Sequence, residues 1–168
     1  MISDIVEWPS GPVKLVWRDT NSARLPTTGV HGFFFQEGAI LLCDILGRGL
    51  TIPGGRIDEG ESTEDCLRRE ALEEACVELS YLTRLGFIEA DHRSNREYSG
   101  SYPTRSVQAI YRAEIITVHD FTAVFESSKR IFADIEQVPV LHHEWNQVLQ
   151  AAFDAATGIS AATGSSCG

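Results

Sequence analysis

Cysteine is sparse in this chain, with four residues in 168, at positions 43, 66, 76 and 167, and no CxxC pair among them. That spacing supports neither a zinc knuckle nor a redox dithiol. Cys66 and Cys76 fall on one expected helix, where a rise of 1.5 Å per residue separates them by roughly 15 Å, too far to bridge. Buried free thiols are the expectation. Long apolar runs are missing as well, and no stretch approaches the length a transmembrane helix needs. The opening "MISDIVEWPSG" holds two acids, no Lys or Arg and no long apolar core, so it does not read as a secretory signal. A cytoplasmic protein is expected. Basic residues are few, 14 against 24 acids, for a net charge of -10. This argues against a surface for duplex nucleic acid, which needs a basic patch to displace counterions. A small anionic ligand reached through a metal ion stays compatible with it.

What is present is ordinary for a soluble domain: 43% hydrophobic and 23% charged residues in a chain long enough to bury a core without staples. One domain over residues 1–157 is expected, followed by a flexible Gly/Ser/Ala-rich tail at 158–168. "VKLVW" (13–17) reads as a strand, and "GVHGFFFQEGAILLCDI" as two strands around a tight turn at Glu37 and Gly38. "GRGLTIPGG" ends a further strand in a Pro-Gly-Gly break. Strands are also expected at 81–90, at 106–116 and in "KRIFADI", and a helix at 142–156, where Trp145, Val148, Leu149 and Phe153 recur at helical spacing. Strands, a helix, more strands and a last helix predict a mixed sheet covered by helices.

The acidic segment Gly54 to Leu79, "GGRIDEGESTEDCLRREALEEACVEL", carries the chemistry. Ser62 can cap a helix at about 63–76, with Asp65 completing a variant capping box and acids suiting the positive end of the dipole. Offsets of three and four residues bring Glu70, Glu73 and Glu74 into one sector of roughly 100°. Like charges at that spacing repel by a few tenths of a kcal/mol per pair, on the order of the usual helix-pair value. A bound hard cation, which takes oxygen ligands, reverses that sign. Geometry alone leaves two readings open, a solvated helix face or a cation site. Apolar residues on more than one side of the helix predict that neighbours cover it.

The order of residues goes further. Gly55, Glu61, Arg69, Glu70, Ala71, Glu73, Glu74 and Val77 stand in register with the pattern G-x5-E-x7-R-E-U-x-E-E-x-G-U, where U is aliphatic. The segment resembles the signature of the Nudix hydrolases, with Cys76 in place of the final glycine. The resemblance implies an α/β fold, a Nudix-type α/β/α sandwich with a mixed central sheet. It also implies Mg²⁺- or Mn²⁺-dependent hydrolysis of a nucleoside diphosphate linked to another moiety, with a homodimer as an allowed assembly. Carried over by position, Glu70 and Glu74 would be the principal metal ligands, Glu73 a further ligand or water activator, and the Gly55 carbonyl an additional ligand. Arg69 would orient these groups, its planar guanidinium bridging Glu61 and a neighbouring glutamate. Glu126 is an alternative base.

Around the long loop "DHRSNREYSGSYPT", His92, Arg93, Arg96, Tyr98, Tyr102 and Arg105 alternate cations with aromatics. Such a set could contact phosphates and stack on a base, or form an ordinary polar surface. Residues 92–95 read "HRSN", so the downstream proline typical of ADP-sugar pyrophosphatases and the tyrosine of dinucleoside polyphosphate hydrolases are both missing. The preference is a nucleoside triphosphate hydrolase of the MutT type. The alternatives are a nucleotide-sugar or dinucleoside polyphosphate hydrolase and, from a different class, a non-catalytic nucleotide-binding or regulatory module. "HHEWN" lacks the second histidine of a zincin, "DEGESTED" lacks the ligand pattern of an EF-hand, and no Gly-x-Ser-x-Gly elbow occurs.

Overall fold

The computed structural model of the chain describes residues 1–158, so all of the expected tail except Gly158 lies outside the described residues, as does Cys167. Six strands lead: β1 (Ser3–Trp8), β2 (Gly11–Arg18), β3 (Thr27–Gln36), β4 (Ala39–Ile45), β5 (Gly49–Thr51) and β6 (Gly54–Arg56). Helix α1 (Thr63–Ala75) follows, then β7 (Val77–Leu79), β8 (Thr83–Asp91), β9 (Arg105–Val118) and β10 (Ser127–Asp134). A 3-10 turn at Ile135–Gln137 runs into α2 (Val138–Leu141), and α3 (Gln147–Thr157) completes the described chain.

The sheet runs β1-β2-β8-β9-β3-β4-β10, with β5 on β4, β6 on β3 and β7 on β9. β3 and β9 are parallel while their other pairings are antiparallel, so the sheet is mixed. Successive side chains on a strand point to opposite faces, and this sorts the core into two layers. Phe34, Leu41, Cys43 and Ala109 pack with Cys66, Leu67, Ala71 and Ala75 of α1. Phe33, Phe35, Ile40, Leu42 and Ile110 pack on the other face with Val148, Ala152 and Phe153 of α3. The result is the α/β/α sandwich expected from the sequence.

Two local features position the site. Glu37 and Gly38 both adopt positive φ, 49° and 81°, the conformation of a tight hairpin turn between β3 and β4. The hairpin then splays, because β3 pairs with β4 only at Phe35 and Gln36. The gap is filled by β6, whose Gly54 and Gly55 pair with His31 and Val30. The Pro-Gly-Gly break is thereby stitched into the sheet beside α1.

Several boundaries differ from expectation. α3 begins at Gln147, not at 142, because Asn146 caps it by accepting from the backbone N–H groups of Val148 and Leu149, and Glu144 just ahead has φ 56°. α1 ends at Ala75, since Cys76 is left-handed at φ 53°. Leu72 is 47% exposed, so α1 is not covered on every side as its apolar spread suggests. Cys43, Cys66 and Cys76 are buried free thiols, as expected. No helix among the described residues is long and apolar enough to cross a membrane.

Candidate active site

α1 starts where Ser62 accepts from the Asp65 backbone N–H, with Glu64 and Asp65 in the first turn at the positive end of the dipole. Two turns on, Arg69 gathers the acids. Its Nε and Nη2 donate to the two oxygens of Glu61 at 2.8 and 3.0 Å, and its Nη1 donates to Glu70 at 2.9 Å and Glu73 at 3.2 Å. Nη2 also donates to the Arg56 carbonyl at 3.1 Å, which ties the helix to β6. A planar fork with fixed donor directions can hold several carboxylates in one arrangement, as a lysine cannot. Arg69 holds the Glu61 carboxyl down at about 2 and has its own pKa raised by that partner.

Glu74 stands outside this fork. Its Oε2 accepts from the Gly54 N–H at 3.1 Å, and the residue is 8% exposed. Burial pushes its carboxyl up to about 7 against that hydrogen bond, with the negative fields of Glu70 and Glu126 adding to the rise. Burial raises Glu70 too, and Arg69 offsets only part of it. The cluster is therefore short of positive charge at Glu70 and Glu74. Gly55 sits against it so closely that a Cβ there would land on the Glu70 carboxylate and displace it.

The donors here are carboxylates, hard oxygens, whereas burial keeps the nearby Cys43 and Cys66 thiols protonated, each pushed up to about 12. Among the described residues no three His, Cys, Asp or Glu side chains form a ready-made metal cage. Carboxylate oxygens suit a small hard cation such as Mg²⁺, which takes one or two carboxylates and completes its shell with water and phosphate oxygens. Glu70 and Glu74, with Gly55 beside them, are the groups that could hold it.

These residues line a cleft of about 430 Å³ together with Glu73, Glu126, His31, Arg48, Arg56, Gln108, Tyr102 and Phe125. Glu126, 52 residues beyond Glu74 in the chain, is thus brought to the carboxylates. Of the loop residues singled out in the sequence, Tyr102 alone lines this cleft. Arg93 grips Asp91 with Nε at 3.0 Å and Nη2 at 2.7 Å, and Arg105 grips Glu89 at 2.6 Å. Tyr98 stacks on His92 with ring centroids 3.9 Å apart, and Arg96 is exposed outside the cleft. The sequence reading missed His31, Arg48, Arg56, Gln108 and Phe125. Arg56, next to Gly55, had a signal in its position; the others reach the cleft only through strand pairing and loop placement. Burial pushes His31 down to about 4, so it faces the cleft as a neutral imidazole.

The family model described as the NUDIX domain matches residues 25–153. No curated protein matches the chain by sequence. Among solved structures, the Bacillus subtilis pyrophosphohydrolase BsRppH is similar with a TM-score of 0.71 at 19% identity, over 94% of this chain and 97% of that one. An ADP-ribose pyrophosphatase from Streptococcus suis gives a TM-score of 0.59 at 20% identity, over 80% and 93% of the two chains. The NUDIX domain of Shewanella oneidensis NrtR, solved in complex with ADP ribose, gives 0.59 at 19% identity, over 82% and 90%. At these identities the likeness is one of fold. The NUDIX match spans most of the chain and contains the whole acidic segment, so the chain belongs to the Nudix hydrolase family.

Proposed function

We propose that this protein is a Mg²⁺- or Mn²⁺-dependent pyrophosphohydrolase that cleaves the diphosphate linkage of a nucleoside diphosphate derivative, with nucleoside triphosphates preferred. The observation that carries this reading is the pair Glu70 and Glu74, buried beside Gly55 and raised in pKa, where the one guanidinium of Arg69 is shared among Glu61, Glu70 and Glu73 and Glu74 lies outside its fork. Buried charge short of a counterion costs free energy unless a cation completes it. When bound, the cation neutralises pyrophosphate charge and makes bound water a better nucleophile. Glu70, Glu74 and the Gly55 carbonyl would hold it.

The remaining work falls to the chain's own groups. Glu73, one hydrogen bond from Arg69, is positioned as the carboxylate that takes a proton from the attacking water; Glu126 is the alternative. The water oxygen bonds to phosphorus, the bridging P–O bond breaks, and the leaving phosphate departs with the electron pair. Arg69 and Glu61 act by holding rotamers. Arg48 and Arg56, on the same cleft, bring positive charge toward the phosphates.

The solved neighbours include a pyrophosphohydrolase, an ADP-ribose pyrophosphatase and a domain bound to ADP ribose, which supports a diphosphate-containing ligand and leaves its second moiety to experiment. Phosphate or pyrophosphate release from nucleoside triphosphates, sugar nucleotides and dinucleoside polyphosphates, with and without Mg²⁺, tests the proposal. Metal-dependent turnover lost in Glu73→Gln and Glu74→Gln is expected. Nucleotide binding without turnover of any substrate would instead identify the non-catalytic module, and turnover indifferent to both substitutions would refute the site.

A further inference from the structure

Two aromatic side chains from separate loops open onto the carboxylate cleft, Tyr102 from the segment between β8 and β9 and Phe125 from the segment between β9 and β10. Both keep apolar surface in water, Tyr102 at 38% and Phe125 at 53% exposure. The guanidinium of Arg56 lies 4.9 Å from the centroid of the Tyr102 ring. Arg56 is itself fixed to the acidic segment: it follows Gly55 in β6, and its carbonyl accepts from Arg69 at 3.1 Å and from the Cys66 thiol at 3.3 Å. One residue therefore sets the distance between the Tyr102 ring and the place where a diphosphate would sit. The loop is held from below, because Tyr98 stacks on His92, which in turn tilts onto Trp8, and the His92 N–H donates to the Thr104 carbonyl at 2.8 Å.

A flat, partly exposed ring with a cation at its face, placed next to a diphosphate site, suits a flat heteroaromatic ligand. We propose that Tyr102, indexed by Arg56 and joined by Phe125, is the platform on which the base of a nucleotide substrate stacks while its diphosphate lies on the α1 carboxylates. This rests on the pyrophosphohydrolase reading above. Every base has a π-face, so the platform selects nucleotides over base-free phosphates without choosing strongly among bases. A stack made equally in the ground and transition states changes KM and leaves kcat alone.

The test compares wild type, Tyr102→Ala and Tyr102→Phe in two measurements with Mg²⁺: kcat and KM on nucleoside triphosphates, and the calorimetric Kd for an α,β-methylene nucleoside triphosphate. Tyr102→Ala is expected to raise KM and Kd on the order of 10-fold for several bases alike. Its kcat should stay within about 2-fold, as for loss of uniform binding. Tyr102→Phe keeps the ring and should behave as wild type. An alanine variant with unchanged KM and Kd, or a phenylalanine variant as impaired as alanine, overturns the platform while leaving the hydrolase reading in place. A wild-type protein that neither turns over nor binds any nucleotide overturns both.

Discussion

Removing one charge at Glu74 should stabilise the metal-free protein and abolish its response to metal. Burial raises this carboxyl from an ordinary 4.5 to about 7. Between those values the folded state keeps a proton that the unfolded state gives up, so stability falls as pH rises through the window and the full penalty is present above pH 7. At about 1.4 kcal/mol per pKa unit, the penalty is about 3 kcal/mol. Glu74→Gln removes it while keeping an oxygen that can accept from the Gly54 N–H. Urea denaturation in EDTA at pH 8 should show the variant more stable by up to about 3 kcal/mol, equivalent to roughly 6–12 °C in Tm for a domain of this size. At pH 5 the difference should shrink, because the folded wild type is then protonated at this site. Added Mg²⁺ should raise the Tm of wild type through linkage and leave the variant unmoved. A variant less stable than wild type at pH 8 in EDTA would refute the reasoning, because it would make Glu74 a satisfied structural anion.

Arg69→Lys keeps the charge but loses the fork that holds Glu61, Glu70 and Glu73. Loss of such an orienting partner typically costs about 10–100-fold in activity or metal affinity, so kcat should fall by that order, and an unchanged kcat would show that the lattice is not needed. Cys76 occupies a left-handed helix end at φ 53°, where glycine is the favoured residue. Cys76→Gly should therefore stabilise the fold by about 1 kcal/mol in urea denaturation. A loss of stability would show that the buried thiol, 3.8 Å from the Thr122 hydroxyl, packs better than its backbone strain costs.

How much of this could be read from residues in a row depended on how far each signal reached along the chain. The β3–β4 hairpin was legible because aromatic and branched residues flank the short Glu37-Gly38 turn on both sides, and α1 because its cap, acids and apolar positions share one helical period. β1 escaped notice: it is a sheet edge whose Ile5 is 68% exposed, so its alternation carries little contrast. β7 has three residues, too few to show a period. The start of α3 was misplaced because Trp145 fits the helical pattern yet lies ahead of the Asn146 cap. In the site, the acidic residues could be found because one helix and one glycine pair supply them. The opposite wall could not, since Arg48, Gln108 and Phe125 come from three separate places in the chain. Arg93 and Arg105 belong to the loop set that could contact phosphates, but the pairing of β8 with β9 sets Asp91 opposite Arg105, and Glu89 and Asp91 absorb both charges. Composition shows that a loop carries cations; only the fold shows which of them are already paired.

The most direct measurement of the central claim is the anomalous density of Mn²⁺ in crystals grown with a nonhydrolysable nucleotide. Manganese bound by Glu70, Glu74 and the Gly55 carbonyl, with phosphate oxygens completing its shell, is the expected result. Manganese bound elsewhere, with these oxygens turned to solvent or satisfied by Arg69 alone, would contradict it.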